Sequence, residues 1–151
     1  MLVPQSLADL TPETLTNLIQ TVHPGTRVER VTVNDLKDSD STETSSSALV
    51  RMRLDYADGN PKGLPESLIA KMTQSNPGLW YSNLNAMYAN ELAFYAKLRG
   101  EVELEAPIGM GGAMDDAGRY ILLLEDVSKR GATVHPVLTE DVTLDHVRAI
   151  L

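Results

Sequence analysis

Residues 48–59 read ALVRMRLDYADG and give the clearest β-strand signal in the chain. Apolar side chains occupy every second position and alternate mostly with charged ones, so one face of the strand is apolar and the other polar. Asp58 and Gly59 follow at once, and this dipeptide favours a tight turn because it tolerates positive φ. The apolar stretch at 67–72 predicts the return strand, so the region is expected to form an antiparallel hairpin.

Upstream of this hairpin, the sequence predicts one helix and one further strand. The TPE triplet at 11–13 is typical of a helix start, and apolar residues then recur at helical spacing until Pro24. Alternation over 27–36 predicts a strand. The following stretch, 37–47, has no apolar side chain, which predicts a surface loop.

Downstream, residues 83–99 predict one long amphipathic helix with Glu91 on its largely apolar stripe. Residues 106–114 and 119–124 predict a second hairpin, whose second strand is continuously apolar, as in strands buried on both faces. The glycine-rich stretch 109–112 predicts a bulge or flexible strand. The expected fold is therefore α+β, with about five antiparallel strands packed by one long helix and an extra N-terminal helix.

Composition excludes several classes of protein. The 151 residues include no cysteine, which excludes disulfide scaffolds, thiol nucleophiles and cysteine-based zinc sites. A formal net charge of −8 disfavours nucleic acid as a partner, because binding it depends on neutralising phosphates. The sequence has neither a membrane-length apolar run nor a secretory leader pattern, so the expected location is the cytoplasm, without membrane attachment.

Four short stretches stand in a characteristic order: residues 35–54 as loop and strand, LIAK at 68–71, NELAFY at 90–95 and LLLED at 122–126. Together with the predicted elements, they resemble the amino-terminal lobe of kinase-like small-molecule phosphotransferases, namely the ecdysteroid-kinase-like and aminoglycoside and choline phosphotransferase relatives. The resemblance covers roughly residues 10–151 and implies a protein-kinase-like small lobe.

The resemblance implies three segments: an N-terminal helical segment at 1–26, the small lobe at 27–127, and a linker with the start of a missing C-terminal lobe at 128–151. The implied reaction transfers the γ-phosphoryl group of ATP, with Mg²⁺, to a hydroxyl of a small molecule bound through the missing lobe. Metal ligands are not expected in this chain, and the 151 residues alone are expected to be inactive.

Lys71 and Glu91 are the two side chains that the resemblance assigns to catalysis. Lys71 matches the strand lysine that contacts the α- and β-phosphates of ATP, and Glu91 matches the helix carboxylate that holds this lysine. From the residues alone, the alternative is that Lys71 reaches solvent at the end of an apolar strand and that Glu91 reaches solvent at a helix edge. Because a carboxylate on an apolar face needs a cation, the pair is expected to meet within about 4 Å.

Glu125, Asp126 and Val127 match the hinge between the two lobes of the family, where backbone N–H and C=O groups meet the edge of adenine. On this interpretation the identity of their side chains matters little. The alternative is a strand that ends in two solvated acids.

Ser45, Ser46 and Ser47 are the candidate phosphate-covering residues, through their hydroxyls and backbone amides. The loop that contains them, 37–47, has no glycine and carries three acids against one lysine, unlike the glycine-rich loops that let a backbone approach phosphates closely. It fits an ordinary hairpin loop equally well. It also supports the alternative function, a non-catalytic pseudokinase or an α+β module that binds a ligand or protein.

Overall fold

A computed structural model describes residues 3–35, 47–60, 62–73 and 84–132 of the chain. These residues form an α+β fold with an open, five-stranded antiparallel sheet. The helices are α1 (Pro12–Gln20) and α2 (Leu84–Ala93), and the strands are β1 (Val28–Asp35), β2 (Ser47–Tyr56), β3 (Ser67–Thr73), β4 (Gly109–Met114) and β5 (Tyr120–Glu125). Short 3₁₀ helices cover Leu7–Asp9, Ala57–Gly59 and Val127–Arg130.

The strands lie in the order β1-β2-β3-β5-β4, and every neighbouring pair is antiparallel. Both predicted hairpins, β2–β3 and β4–β5, are therefore confirmed. The turn after β2 has the positive φ angles that its sequence predicts, at Asp58 and Gly59. Because β5 inserts between β3 and β4, the segment that joins β3 to β4 must cross the sheet, and α2 lies on this crossover.

The N-terminal helix covers one face of the sheet. Thr11 caps α1 by accepting a hydrogen bond from the Thr14 backbone amide at 3.2 Å, and Pro12 occupies the first helical turn, as the sequence predicts. The helix buries Leu15, Leu18 and Ile19 in the larger apolar core. The sheet side chains in this core come from alternate positions of the central strands: Met52, Leu54, Leu68, Ala70, Met72, Ile121 and Leu123.

Helix α2 covers the opposite face, and it is shorter than predicted. The α-helix ends at Ala93, and Phe94–Leu98 form a π-helical turn in which the Arg99 amide donates to the Phe94 carbonyl at 2.8 Å. One long α-helix over 83–99 is therefore not shown: the described helical stretch, 84–98, is α-helical to Ala93 and π-helical after it. Leu98, at the end of the π turn, lies exposed.

Strand β5 is buried on both sides, as its continuous apolar sequence predicts. Ile121 and Leu123 point into the core beneath α1, whereas Tyr120 and Leu122 point into a second cluster beneath α2. All four residues are almost completely buried. Because β5 is buried on both faces between two helical layers, its pairing with β3 is restricted to one register. This register fixes the face of the sheet on which each β3 side chain lies.

The glycines of β4 let both helices approach this edge strand. The ladder to β5 is irregular between Gly109 and Gly111, which confirms the predicted bulge. Gly111 has a φ of +121°, and a Cβ atom there would lie 2.3 Å from the Leu18 carbonyl oxygen of α1. A Cβ atom at Gly112 would lie 2.6 Å from a Leu92 methyl carbon of α2, so two successive positions accommodate helices on opposite faces.

Two sequence-based predictions lie outside the described residues: the body of the polar loop, 36–46, and most of the predicted linker and lobe start, from 133 onward.

Candidate functional site

Lys71 lies on the polar side of a strand whose other side is deeply buried. Along β3, Leu68, Ala70 and Met72 point into the core beneath α1 and alternate with half-buried residues that include Lys71. Lys71 pairs with Leu49 of β2 on one side and with Leu122 of β5 on the other. The ammonium group is thus carried by a central strand and held on the face covered by α2.

Glu91 meets this lysine from α2. The Lys71 ammonium Nζ lies 2.8 Å from Glu91 Oε1 and 2.9 Å from Oε2, so both carboxylate oxygens share the cation. This contact confirms the distance that the sequence predicts for the pair. The side chains of Lys71 and Glu91 remain 26% and 27% exposed, so neither is fully buried.

Tyr120 provides the Glu91 carboxylate with a second partner. Its hydroxyl donates to Glu91 Oε2 at 2.7 Å, while its ring is fully buried and stacks on the Tyr88 ring with centroids 4.4 Å apart. Burial raises the pKa of the Tyr120 phenol well above its ordinary value, and the hydrogen bond to Glu91 and its charge act in the same direction. The phenol therefore keeps its proton and stays a donor.

A second charged cluster lies on the same sheet face, where β5 ends. The Asp126 side chain is 3% exposed and pairs with Arg51 of β2, whose Nε donates to Oδ2 at 2.9 Å. Ser67 donates to the same oxygen at 2.8 Å, and the hydroxyl and amide of Ser128 donate to Oδ1 at 2.7 and 3.3 Å. The cluster thus ties two strands and the chain after β5 together.

Hydrogen bonding has a larger effect than burial on the pKa of the Asp126 carboxylate. Burial acts to raise the pKa of Asp126, but donors from Ser128 and Ser67, together with the charge and donor of Arg51, hold this pKa below its ordinary value. Asp126 is therefore a buried, ionised group.

Nearby, Glu125 accepts from the Ile108 amide at 3.1 Å and pairs with Arg130 at 2.8 Å. The alternative of two solvated acids at the end of this strand is therefore wrong.

The backbone of 125–127 has one amide without an acceptor among the described residues. The Glu125 amide donates to the Ile108 carbonyl at 2.9 Å, and the Asp126 amide donates to the Ser67 carbonyl at 3.1 Å. These two groups are used within the sheet. Val127 is the residue whose N–H has no partner in the described parts of the chain, so it is the best placed of the three to donate to a ligand.

An open groove of about 650 Å³ lies beside this segment. Arg51, Ser67, Asp126 and Lys129 are among the residues that line it. Its size falls within the range of small-molecule sites. Ser67 and Lys71 are four residues apart on β3, so the two charged clusters are separated by about 13 Å along one strand.

The remaining predicted residues are only partly described. Ser45 and Ser46 lie outside the described residues, whereas Ser47 begins β2 and pairs with Thr73 of β3, two residue pairs along the ladder from the pair that contains Lys71. Ser47 is therefore on the same end of the sheet as Lys71 by register. No group of three or more histidine, aspartate or glutamate side chains that could hold a metal ion occurs in the described ranges.

Sequence reasoning did not find Tyr120, Arg51, Ser67 or Ser128 as site residues. Tyr120 lies on the Lys71 face because its neighbour Leu122 pairs with Lys71, but that register is not visible in the sequence. Arg51 was assigned correctly to the polar face of its strand, yet its partner lies 75 positions away. The signal for Ser67 and Ser128 was weaker still, because serines at strand and helix ends are common in any fold.

Comparison of the chain with family models, with curated proteins and with solved structures gives no match. In the parts of the chain that the structure describes, no helix has the length and apolar character needed to cross a bilayer.

Proposed function

We propose that this chain is the N-terminal nucleotide-binding lobe of an ATP-dependent phosphotransferase that acts on a hydroxyl of a small molecule. The observation that carries the proposal is the contact of Lys71 Nζ with both carboxylate oxygens of Glu91 at 2.8 and 2.9 Å. A strand lysine held by a helix carboxylate is the arrangement that kinase-like enzymes use to orient ATP phosphates. The strand order, with a helix on the crossover from β3 to β4, is compatible with a protein-kinase-like lobe.

The site has one candidate group for the phosphates of a nucleotide, Lys71, and another for its base, Val127. Lys71 supplies a partly exposed cation for phosphate oxygens, which a fixed charge stabilises without reorganisation. At the other end of the same sheet face, Val127 directly follows Glu125 and Asp126, two of the residues that line the groove, and its amide has no acceptor among the described residues. Mg²⁺ would neutralise the phosphates, and it would reach this lobe bound to ATP, because the described residues include no cluster that could ligate it.

In the proposed reaction, the described residues bind and orient the nucleotide rather than move protons. Lys71 would hold the α- and β-phosphates, Glu91 would hold Lys71, and Val127 would orient the base. Residues that activate and bind the hydroxyl acceptor would belong to the C-terminal lobe. The use of MgATP also fits the cytoplasmic location that the sequence predicts.

The proposal is tested by titrating the chain with MgATP in a calorimeter and in a thermal unfolding assay. Ligand at ten times its Kd should add about 1.4 kcal/mol of stability, which raises the Tm of a domain of this size by about 3–5 °C. Mg²⁺ alone should produce no comparable shift. In K71M the effect of MgATP should shrink strongly, whereas K97A, which removes an exposed lysine outside the site, should respond like the wild type.

The second candidate is a pseudokinase or an α+β module that binds another ligand or protein. The glycine-free, acidic loop at 37–47 favours it, because three carboxylates near a triphosphate would repel it. Absence of any MgATP effect on a well-folded wild-type chain would reject the phosphotransferase proposal in favour of this one.

A further inference from the structure

Tyr120 binds the same carboxylate oxygen that Lys71 contacts. Glu91 Oε2 accepts from the Tyr120 hydroxyl at 2.7 Å and from the Lys71 ammonium at 2.9 Å. The two donors reach this oxygen from neighbouring strands, the tyrosine from β5 and the lysine from β3. Glu91 is thus joined to the sheet by two independent attachments.

The tyrosine attachment is the more rigid of the two. The ring is fully buried and stacked on Tyr88, with an angle of 14° between the ring planes. The backbone of Tyr120 is also tied to β3, since its amide donates to the Thr73 hydroxyl at 3.2 Å. Lys71, in contrast, reaches Glu91 through a flexible four-carbon chain whose end is partly exposed.

We infer that Tyr120 is a positioning residue that keeps Glu91, and through it the Lys71 ammonium, in place for an anion. This inference rests on the proposed function and names a residue that it does not include. A lysine that contacts phosphate while it stays paired with a carboxylate depends on where that carboxylate is held. The Tyr120 hydroxyl fixes Glu91 Oε2 independently of Lys71, so Glu91 keeps its position when the ammonium also contacts phosphate.

Tyr120→Phe is the direct test, because it removes the hydroxyl and keeps the ring stack. Y120F should raise the Kd for MgATP by about tenfold, the equivalent of one hydrogen bond to a charged group. In the K71M background, the same substitution should change the Kd little, since Tyr120 acts through Lys71. An equal effect in both backgrounds, or no effect in either, would overturn the inference.

Tyr56→Phe is the matched control. Tyr56 is also a buried tyrosine, and its hydroxyl donates to the Pro65 carbonyl at 2.8 Å, but its ring belongs to the core beneath α1. Y56F removes an equivalent hydroxyl hydrogen bond on the opposite side of the sheet and should leave the Kd for MgATP unchanged. If Y56F weakens binding as much as Y120F does, the effect of Y120F reflects general stability and the positioning role is rejected.

A measurement without nucleotide separates this inference from the proposed function. Hydrogen exchange of the α2 amides should be little changed in K71M, because Tyr120 still holds Glu91, and about tenfold faster in the Y120F/K71M double variant. If the wild type fails to bind MgATP, the proposed function is rejected while this exchange result still supports or refutes the anchoring by Tyr120. Equal exchange in K71M and the double variant would refute it.

Discussion

Two ion pairs lie on the same face of the sheet and differ in what surrounds the carboxylate. The Lys71–Glu91 and Arg51–Asp126 contacts are almost equally short, at 2.8 and 2.9 Å. The side chains of the first pair are each about one quarter exposed, whereas the Asp126 side chain is 3% exposed. Each Asp126 oxygen also accepts two hydrogen bonds from fixed donors.

The difference indicates which of the two pairs has no room for a further partner. Asp126 has no unused acceptor position of good geometry, so it serves to hold β2, β3 and the chain after β5 together. Lys71 has an ammonium with three donors on a side chain that is about one quarter exposed, so under the proposed function it can contact an anion while Glu91 holds it. Two pairs of similar length therefore differ: Asp126 has a structural role, whereas Lys71 is the residue that we propose to bind a ligand.

The largest expected effect is the loss of folding stability when the Arg51–Asp126 pair is broken. D126A should lower the free energy of unfolding by about 3 kcal/mol, because it leaves Arg51 and two serine hydroxyls without their acceptor. The control is E66A, which removes an exposed carboxylate 3.9 Å from Arg53 on the same face and should cost less than about 0.5 kcal/mol. Urea denaturation measures both. Similar losses for the two variants would contradict the structural role of Asp126.

The next effect is on binding, at the partly exposed pair. K71M should raise the Kd for MgATP by about 30-fold, while it lowers the free energy of unfolding by less than about 1 kcal/mol. E91Q should weaken binding less. The double variant should bind like K71M, since both residues act through one ammonium group. Additive losses in calorimetric titrations would show that Glu91 acts on the nucleotide independently of Lys71.

The smallest expected effect is a pH dependence of folding stability that arises from Asp126. Its pKa is lower in the folded state than its ordinary value of 3.8, so its stabilising contribution is complete above that value and is lost as pH falls through the folded pKa. Asp9 and Asp115 also have lowered pKa values and titrate in the same acid range. The free energy of unfolding of wild type minus that of D126N, measured by denaturation at pH 3 to 6, isolates the contribution of Asp126. This difference should become smaller below about pH 4. A constant difference would contradict the assignment.

Alternation and turn chemistry were sufficient to predict the sheet and its two hairpins. The Lys71–Glu91 contact was also predictable, because a carboxylate on an apolar helix face and a lysine at the end of an apolar strand each require a partner. These inferences depend on local patterns or on a simple need for charge neutralisation, and both are visible in the sequence.

The features that depend on packing were not predictable. The π turn after Ala93 follows no recognisable residue pattern, and it shortened the α-helix. Tyr120 reaches Glu91, and Arg51 reaches Asp126, only because the strands adopt a particular register. A sequence indicates that such polar side chains face one side of a sheet, but not which of them meet there.

Acylation by an ATP acyl phosphate tests the central claim most directly, because this reagent transfers its acyl group to an amine that lies beside the bound phosphates. The chain has five lysines: Lys37, Lys62, Lys71, Lys97 and Lys129. After brief labelling and peptide mapping, the account predicts acylation mainly at Lys71, prevented by excess MgATP. Labelling spread over the exposed lysines, or unaffected by MgATP, would contradict a phosphate site at Lys71.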